Sequence, residues 1–156
     1  MKFYESGDNR KPVIFLFPGT CCLYNSFDHV LDGLHSYFYT VAVSYDGFDP
    51  NEKTEFYSME DECEKIEQEI RTKYGGRIKA AYGCSLGGSF VSLLIQRKRI
   101  HIDHGIIGSS DMDEAGSFMA KLQSSIIVPI MYKMVHTGKL PKFTYCATSN
   151  RLCENL

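Results

Sequence analysis

Four short apolar runs constrain this chain more than any other feature. Val13-Ile14-Phe15-Leu16-Phe17 has no polar residue at either phase of its alternation, so the strand it predicts must be covered on both faces. The run ends at Pro18-Gly19, as a buried strand entering a loop would. Val41-Ala42-Val43 with its neighbours Tyr39 and Tyr45, Ile78 to Tyr82, and Gly105 to Gly108 are further runs of this kind. Helical patterns lie between them. The clearest is Ser58 to Tyr74: Ser58 caps the start, acidic residues fill the first turn, and Cys63, Ile66, Ile70 and Tyr74 recur at helical spacing. Arg71 and Lys73 then occupy the last turn and Gly75-Gly76 stops it. An earlier helix capped by Asn25 or Ser26 would present Phe27, Val30, Leu31, Leu34 and Phe38 on one face, and Leu86 to Gln96 reads as another. Strands alternating with helices imply βαβ units, hence an α/β fold with a mainly parallel sheet and helices on both faces.

Composition narrows the remaining classes. With 156 residues, 44% of them hydrophobic, one domain is the default, and no repeat, low-complexity tract or linker divides the chain. Lys and Arg number 17 against 19 Asp and Glu, a formal charge of -2, which gives no footprint for nucleic acid or anionic lipid. Arg97-Lys98-Arg99 is short, and it reads as cations offsetting the dipole at a helix C-terminus. The six cysteines show no paired C-x-x-C spacing, so neither a metal site nor a redox motif is expected. Met1 to Lys11 lacks the apolar core of a secretory signal, which makes a reduced, cytoplasmic protein the expectation. The longest apolar stretch, Ile126 to Val135, is interrupted by Pro129 and Lys133 and falls short of the roughly 20 residues of a membrane span. Neither G-x-G-x-x-G nor G-x-x-x-x-G-K-[ST] occurs, so nucleotide binding is disfavoured and no cofactor is implied.

The chemistry sits where the third run meets its helix. Gly83-Cys84-Ser85-Leu86-Gly87 fits G-x-S-x-G, with a strand before it and a helix after it. A serine held on a sharp strand-to-helix turn projects its hydroxyl from the sheet, and side chains at 83 and 87 would crowd that turn. Gly88 lets the new helix approach neighbouring strands closely. The Leu86 amide, at the helix N-terminus, would face a developing oxyanion. A second donor is expected from the loop after the first strong strand, with the Thr20 amide first and Cys21 second, each donor being worth on the order of 3 kcal/mol in catalysis. The competing readings are an ordinary tight turn for the glycines and an ordinary loop residue for Thr20.

The residues FLFPGT at 15 to 20 and YGCSLGGSF at 82 to 90 resemble the oxyanion loop and nucleophile elbow of the α/β-hydrolase family. The resemblance covers about residues 11 to 110. Where most members carry His-Gly after the first core strand, this chain has Pro18-Gly19, a departure that spares the backbone donors. The family implies a serine, an acid and a histidine in that chain order. Its sheet continues past the strand corresponding to Gly105 to Gly108, through an inserted cap, to strands that bear the acid and the histidine. No such pattern follows here, so residues 1–110 are expected to form a partial hydrolase core lacking the final strands, and 111–156 a cap-like helical segment and tail. Within that segment, Phe118, Met119, Leu122, Ile126 to Val128, Ile130, Met131, Met134 and Val135 read either as pocket lining or as ordinary core.

Two residues stand as candidates for the missing partners. Asp111 is placed to be the acid, although Ser109-Ser110-Asp111 also reads as a helix cap, the commoner role. His29 and His35 fall on the first helix, and His101 and His104 precede their strand at the far end of the sheet. His136 alone lies where it could swing over Ser85, against the commoner reading of a surface histidine. The resemblance therefore implies a serine hydrolase of carboxylesterase, lipase or thioesterase type, acting through a Ser85 acyl-enzyme on an ester, thioester or related small acyl substrate. The alternative is a truncated, non-catalytic remnant or binding protein without a complete triad. A sheet shortened in this way would also expose its last parallel strand and favour self-association through that edge.

Overall fold

A computed structural model of the chain describes residues 1–20, 22–49 and 51–110, together with Ser125 and Pro129. The chain divides into compact units Met1–Met112 and Asp113–Leu156, and the elements below belong to the first. Among the described residues five strands form one sheet: β1 (Lys2–Ser6), β2 (Val13–Phe17), β3 (Tyr39–Ser44), β4 (Arg77–Cys84) and β5 (His101–Gly108). Three helices connect the last four: α1 (Asp28–His35), α2 (Met59–Tyr74) and α3 (Leu86–Arg97).

The sheet order is β1-β3-β2-β4-β5, parallel throughout except where β1 pairs antiparallel with β3. The chain steps from β2 outward to β3 through α1, then crosses back over β2 to β4 through α2, and continues outward to β5 through α3. Right-handed crossovers taken in opposite directions place their helices on opposite faces of a sheet. The reversal falls between β2 and β4, the switch point of the sheet, beside which the loops leaving the carboxyl ends of these two strands lie. Those two loops are Pro18 onward and the turn at Ser85.

Both faces of the sheet carry a core, with different depths. On the α2 and α3 side, Phe15, Phe17, Val41, Val43, Ile78 and Ala81 meet Cys63, Ile66, Ile70, Phe90, Val91 and Leu94, all essentially inaccessible. On the α1 side, Ile14, Leu16, Ala42 and Ala80 pack with Phe27, while α1 itself buries no residue fully. Helix α2 follows its sequence signals closely. The Ser58 hydroxyl accepts from the Asp61 amide at 3.1 Å, and Gly75 closes the helix with φ of 62°, in the left-handed region.

Two readings need correction, and one strand has no reading at all. The polar N-terminus supplies a strand: Lys2-Phe3-Tyr4-Glu5-Ser6 alternates, so Phe3 joins the core on one face and Tyr4 the core on the other. The first helix starts later than its polar residues suggested, because Tyr24–Phe27 form a 3-10 turn and neither Asn25 nor Ser26 caps α1. Burial of Phe27 against the sheet overrides the cap preference here. Phe38 lies beyond that helix, with its amide donating to the Leu34 carbonyl at 2.8 Å. Finally, β5 begins at His101 rather than Gly105, so His101 and His104 are strand residues. Arg97 does fall in the last turn of α3, and its guanidinium also meets the fully buried Glu67 of α2 at 2.6 Å.

Candidate active site

Ser85 occupies the turn between β4 and α3 with φ of 52° and ψ of -120°, a conformation that L residues adopt only when their surroundings hold them in it. The surroundings do so with hydrogen bonds at both ends. The Ser85 amide donates to the Gly108 carbonyl at 2.8 Å, tying the turn to the end of β5, and the Ser85 carbonyl accepts from the Gly88 amide at 2.9 Å. The residue is exposed at the carboxyl end of the sheet. Among the described residues no side chain bonds its hydroxyl.

The glycines around it are required by space. A Cβ on Gly83 would overlap the Gly87 carbonyl, and one on Gly87 would overlap the Phe17 carbonyl of the neighbouring strand. At Gly88 it would stand 2.6 Å from the Ser110 Cβ and 3.0 Å from an Ile107 methyl. The expectation that Gly88 permits close approach of helix to strand is therefore met by β5 and the residues just after it. The Ser110 hydroxyl also pairs with that of Ser89 at 2.9 Å.

The loop after β2 lies directly against this turn. A Cβ built on Gly19 would be 3.5 Å from the Ser85 Cβ and 3.4 Å from the Cys84 carbonyl oxygen. The Cys22 amide donates to the Gly19 carbonyl at 3.1 Å, closing a tight turn over residues 19 to 22. Because a trans peptide holds its C=O and N–H antiparallel in one plane, a Gly19 carbonyl aimed into the turn leaves the Thr20 N–H pointing out of it. Thr20 is exposed. Leu86, as the first residue of α3, carries one of the amides that a helix start leaves without an intrahelical partner. Cys21 lies outside the described residues.

Sequence reasoning missed what holds that loop from behind. The Tyr45 hydroxyl, fully buried at the end of β3, donates to the Pro18 carbonyl at 3.1 Å. Its ring stacks on Phe90 of α3 with centroids 4.5 Å apart. Burial pushes its phenol far above the ordinary range, so it remains a donor at every working pH. The one signal in the sequence is a tyrosine shortly after the apolar run Val41-Ala42-Val43. Cys63, also buried, has its thiol pushed up to about 12 by desolvation and is no competing nucleophile.

The histidines divide by position. His101 is level with Arg77 at the start of β4, eight residues before Ser85 and hence roughly 25 Å away along the strand. His104 is paired with Ala80 halfway along β5, at the edge of the sheet. The His35 Nε2 lies 2.9 Å from the Ser6 hydroxyl and 3.1 Å from that of Thr40, near the start of β3. His29 lines an apolar groove of about 370 Å³ on the α1 face, with Phe27, Val30, Tyr82 and Ile106. Asp111 and His136 lie outside the described residues. Among the described residues, no cluster of His, Cys, Asp and Glu could hold a metal ion, and no helix is long and apolar enough to cross a membrane.

The sequence matches no protein-family model and no curated protein. Solved structures do resemble it. An α/β-hydrolase family protein from Desulfitobacterium hafniense superposes with a TM-score of 0.77 at 16% identity, covering 92% of this chain and 58% of the other. A hydrolase from Pseudomonas aeruginosa gives 0.72 at 15% identity, over 96% and 58% of the two chains. A structure from a study of carboxylesterases of Nitrososphaera gargenis gives 0.68 at 16% identity, over 88% and 50%. The chain thus spans between half and three fifths of the length of these structures. With a serine turn at the switch point of a mainly parallel sheet and these neighbours around it, the chain has the α/β-hydrolase fold.

Proposed function

We propose that this chain carries the nucleophile and oxyanion-binding half of a serine hydrolase acting on an ester, thioester or related acyl compound. The observation that carries the reading is the positive-φ backbone of Ser85, held by Gly108 on one side and by Gly88 on the other. Strain of this kind costs about 1–3 kcal/mol and persists where it serves a site. The structural neighbours, hydrolases and carboxylesterases by description, support the same chemistry.

This reading implies acyl transfer through Ser85. The Ser85 hydroxyl oxygen adds to the acyl carbon as its proton passes to a general base, and the carbonyl oxygen becomes an oxyanion. The Leu86 and Thr20 amides are the donors proposed for that oxygen. Collapse of the intermediate expels the alcohol or thiol, which takes the proton from the base. Water then adds to the acyl-enzyme by the same steps and releases the acid. The base comes from outside residues 1–110, with His136 as its candidate and Asp111 as the candidate acid.

Incubation of the purified chain with a fluorophosphonate probe tests this. Labelling of the wild type that disappears in Ser85→Ala supports an activated serine, and its disappearance in His136→Ala would assign the base. Absence of labelling in folded wild type would overturn the reading and leave a non-catalytic remnant that binds without turning over.

A further inference from the structure

We propose that Tyr45 is the positioning residue for the oxyanion loop, its hydroxyl fixing the Pro18 carbonyl and through it the orientation of the Thr20 amide. The inference rests on the serine-hydrolase reading for its catalytic consequence, but its structural core stands apart from that reading. Tyr45 belongs to neither the elbow nor the loop.

The argument starts from how few torsions separate the two groups. A peptide unit is planar, so anchoring the Pro18 carbonyl anchors the whole Pro18–Gly19 plane. Only the φ and ψ of Gly19 lie between that plane and the next, which carries the Thr20 N–H. Gly19 is the residue least able to resist rotation about those bonds. Two hydrogen bonds replace the stiffness it lacks: Tyr45 to the Pro18 carbonyl at 3.1 Å, and the Cys22 amide to the Gly19 carbonyl at 3.1 Å. The second sits within the exposed turn itself. The first is buried and ties the turn to the body of the protein.

Tyr45 is itself held on every side. Phe90 stacks on its ring, and Phe48 meets it edge-on at 5.6 Å. The amide of the next residue, Asp46, donates to the carboxylate of the fully buried Glu62 on α2 at 3.0 Å. The Pro18 carbonyl is also hemmed in from the elbow, since a Cβ on Gly87 would lie 2.9 Å from it. A chain of contacts therefore runs from α2 through the end of β3 to the loop beside Ser85. An aliphatic residue at position 45 would fill the same core but leave a buried carbonyl unpaired and its plane free to turn.

The test is Tyr45→Phe in the full chain, which keeps the ring and removes only the hydroxyl. With a p-nitrophenyl ester, kcat should fall about ten- to a hundredfold with KM unchanged, the range expected when a catalytic group is misplaced rather than removed. Ile70→Val, which trims the same core by one methyl group and leaves the hydroxyl in place, should leave kcat within about twofold of the wild type at the same substrate concentrations. Equal losses in the two variants, or no loss in Tyr45→Phe, would overturn the proposal. Amide exchange at Gly19 and Thr20 reads the structural core without any turnover: it should quicken in Tyr45→Phe and not in Ile70→Val. If wild type proves inactive, the hydrolase reading fails and unchanged exchange at these amides still refutes the role of Tyr45. Should Tyr45→Phe not fold, the wild-type hydroxyl proton decides, being slow to exchange if bonded to Pro18 and fast if not.

Discussion

The two faces of the sheet bury apolar residues in different ways. On the α2 and α3 face, Val91 and Leu94 of one helix and Ile66 and Ile70 of the other are wholly inaccessible against Phe15, Phe17 and Val41. On the α1 face the helix is short and lacks a side-chain cap, Val30 stays 40% exposed, and a groove of about 370 Å³ opens between Leu34 and Ile106. The sealed face is also the one on which the Ser85 turn is built, since α3 starts at Leu86 and Tyr45 stacks on Phe90. Rigidity is concentrated where strain must be held, because a strained turn persists only when close packing leaves it no room to relax.

The sharpest way to break this contrast is at the tightest point of the sealed face. Gly87→Ala places a methyl into the Phe17 carbonyl, and the first turn of α3 must move away from β2. Loss of fluorophosphonate labelling by about a hundredfold or more is expected, with destabilisation of a few kcal/mol by urea titration. Retained labelling would mean that the elbow does not depend on this approach.

A matched pair of deletions compares the faces directly. Val91→Ala removes two methyl groups from a site with no accessible surface and should cost about 2 kcal/mol or more. Val30→Ala makes the same chemical change on the open face, where lost burial is small and alanine is the better helix former, so the change should be within about 0.5 kcal/mol. Urea midpoints measured side by side decide the matter, and comparable losses would show that the two faces are equally packed.

The caps sharpen the picture further. Ser58→Ala should cost about 1 kcal/mol, because the Asp61 amide loses its partner. Asn25→Ala and Ser26→Ala, the expected caps of the first helix, should cost little, because neither caps α1. A larger effect at Ser26 than at Ser58 would reverse that assignment.

The smallest effect concerns acid. The Tyr74 hydroxyl donates to the Glu5 carboxylate at 2.6 Å and holds its pKa below the ordinary value, with Lys73 assisting. A carboxylate with a lowered folded pKa contributes stability that is fully present above its unfolded pKa and is lost as pH falls through the folded one. Glu5→Gln should therefore narrow the gap between neutral and acidic stability, read from thermal midpoints across that range. An unchanged acid limb would show that Glu5 contributes nothing through its charge.

Legibility differed between elements for physical reasons. Strand β2 and helix α2 could be read to the residue because each carries its own boundary signals, Pro18-Gly19 for one and Ser58 with Gly75 for the other. The start of α1 could not, because burial of Phe27 is a property of the sheet beneath it. Strand β1 was hidden for the same reason: its charged residues sit at an edge, where only its pairing with β3 makes it a strand. At the site, the serine, its glycines and Leu86 are local in sequence and were legible as a motif. Tyr45 and Gly108 were not, since each is distant in sequence and acts through a backbone atom that no pattern reveals.

The sequence by itself determined the alternation of buried strands and helices, and with it the placement of Ser85 on a strand-to-helix turn. Those features depend on neighbours within a few residues. Only the tertiary structure decided that the chain reverses across β2, bringing the Pro18 loop against Ser85, and that Tyr45 and Gly108 clamp the two sides. Strand order and hydrogen bonds between distant backbone groups arise from packing the whole sheet, and no local preference encodes them.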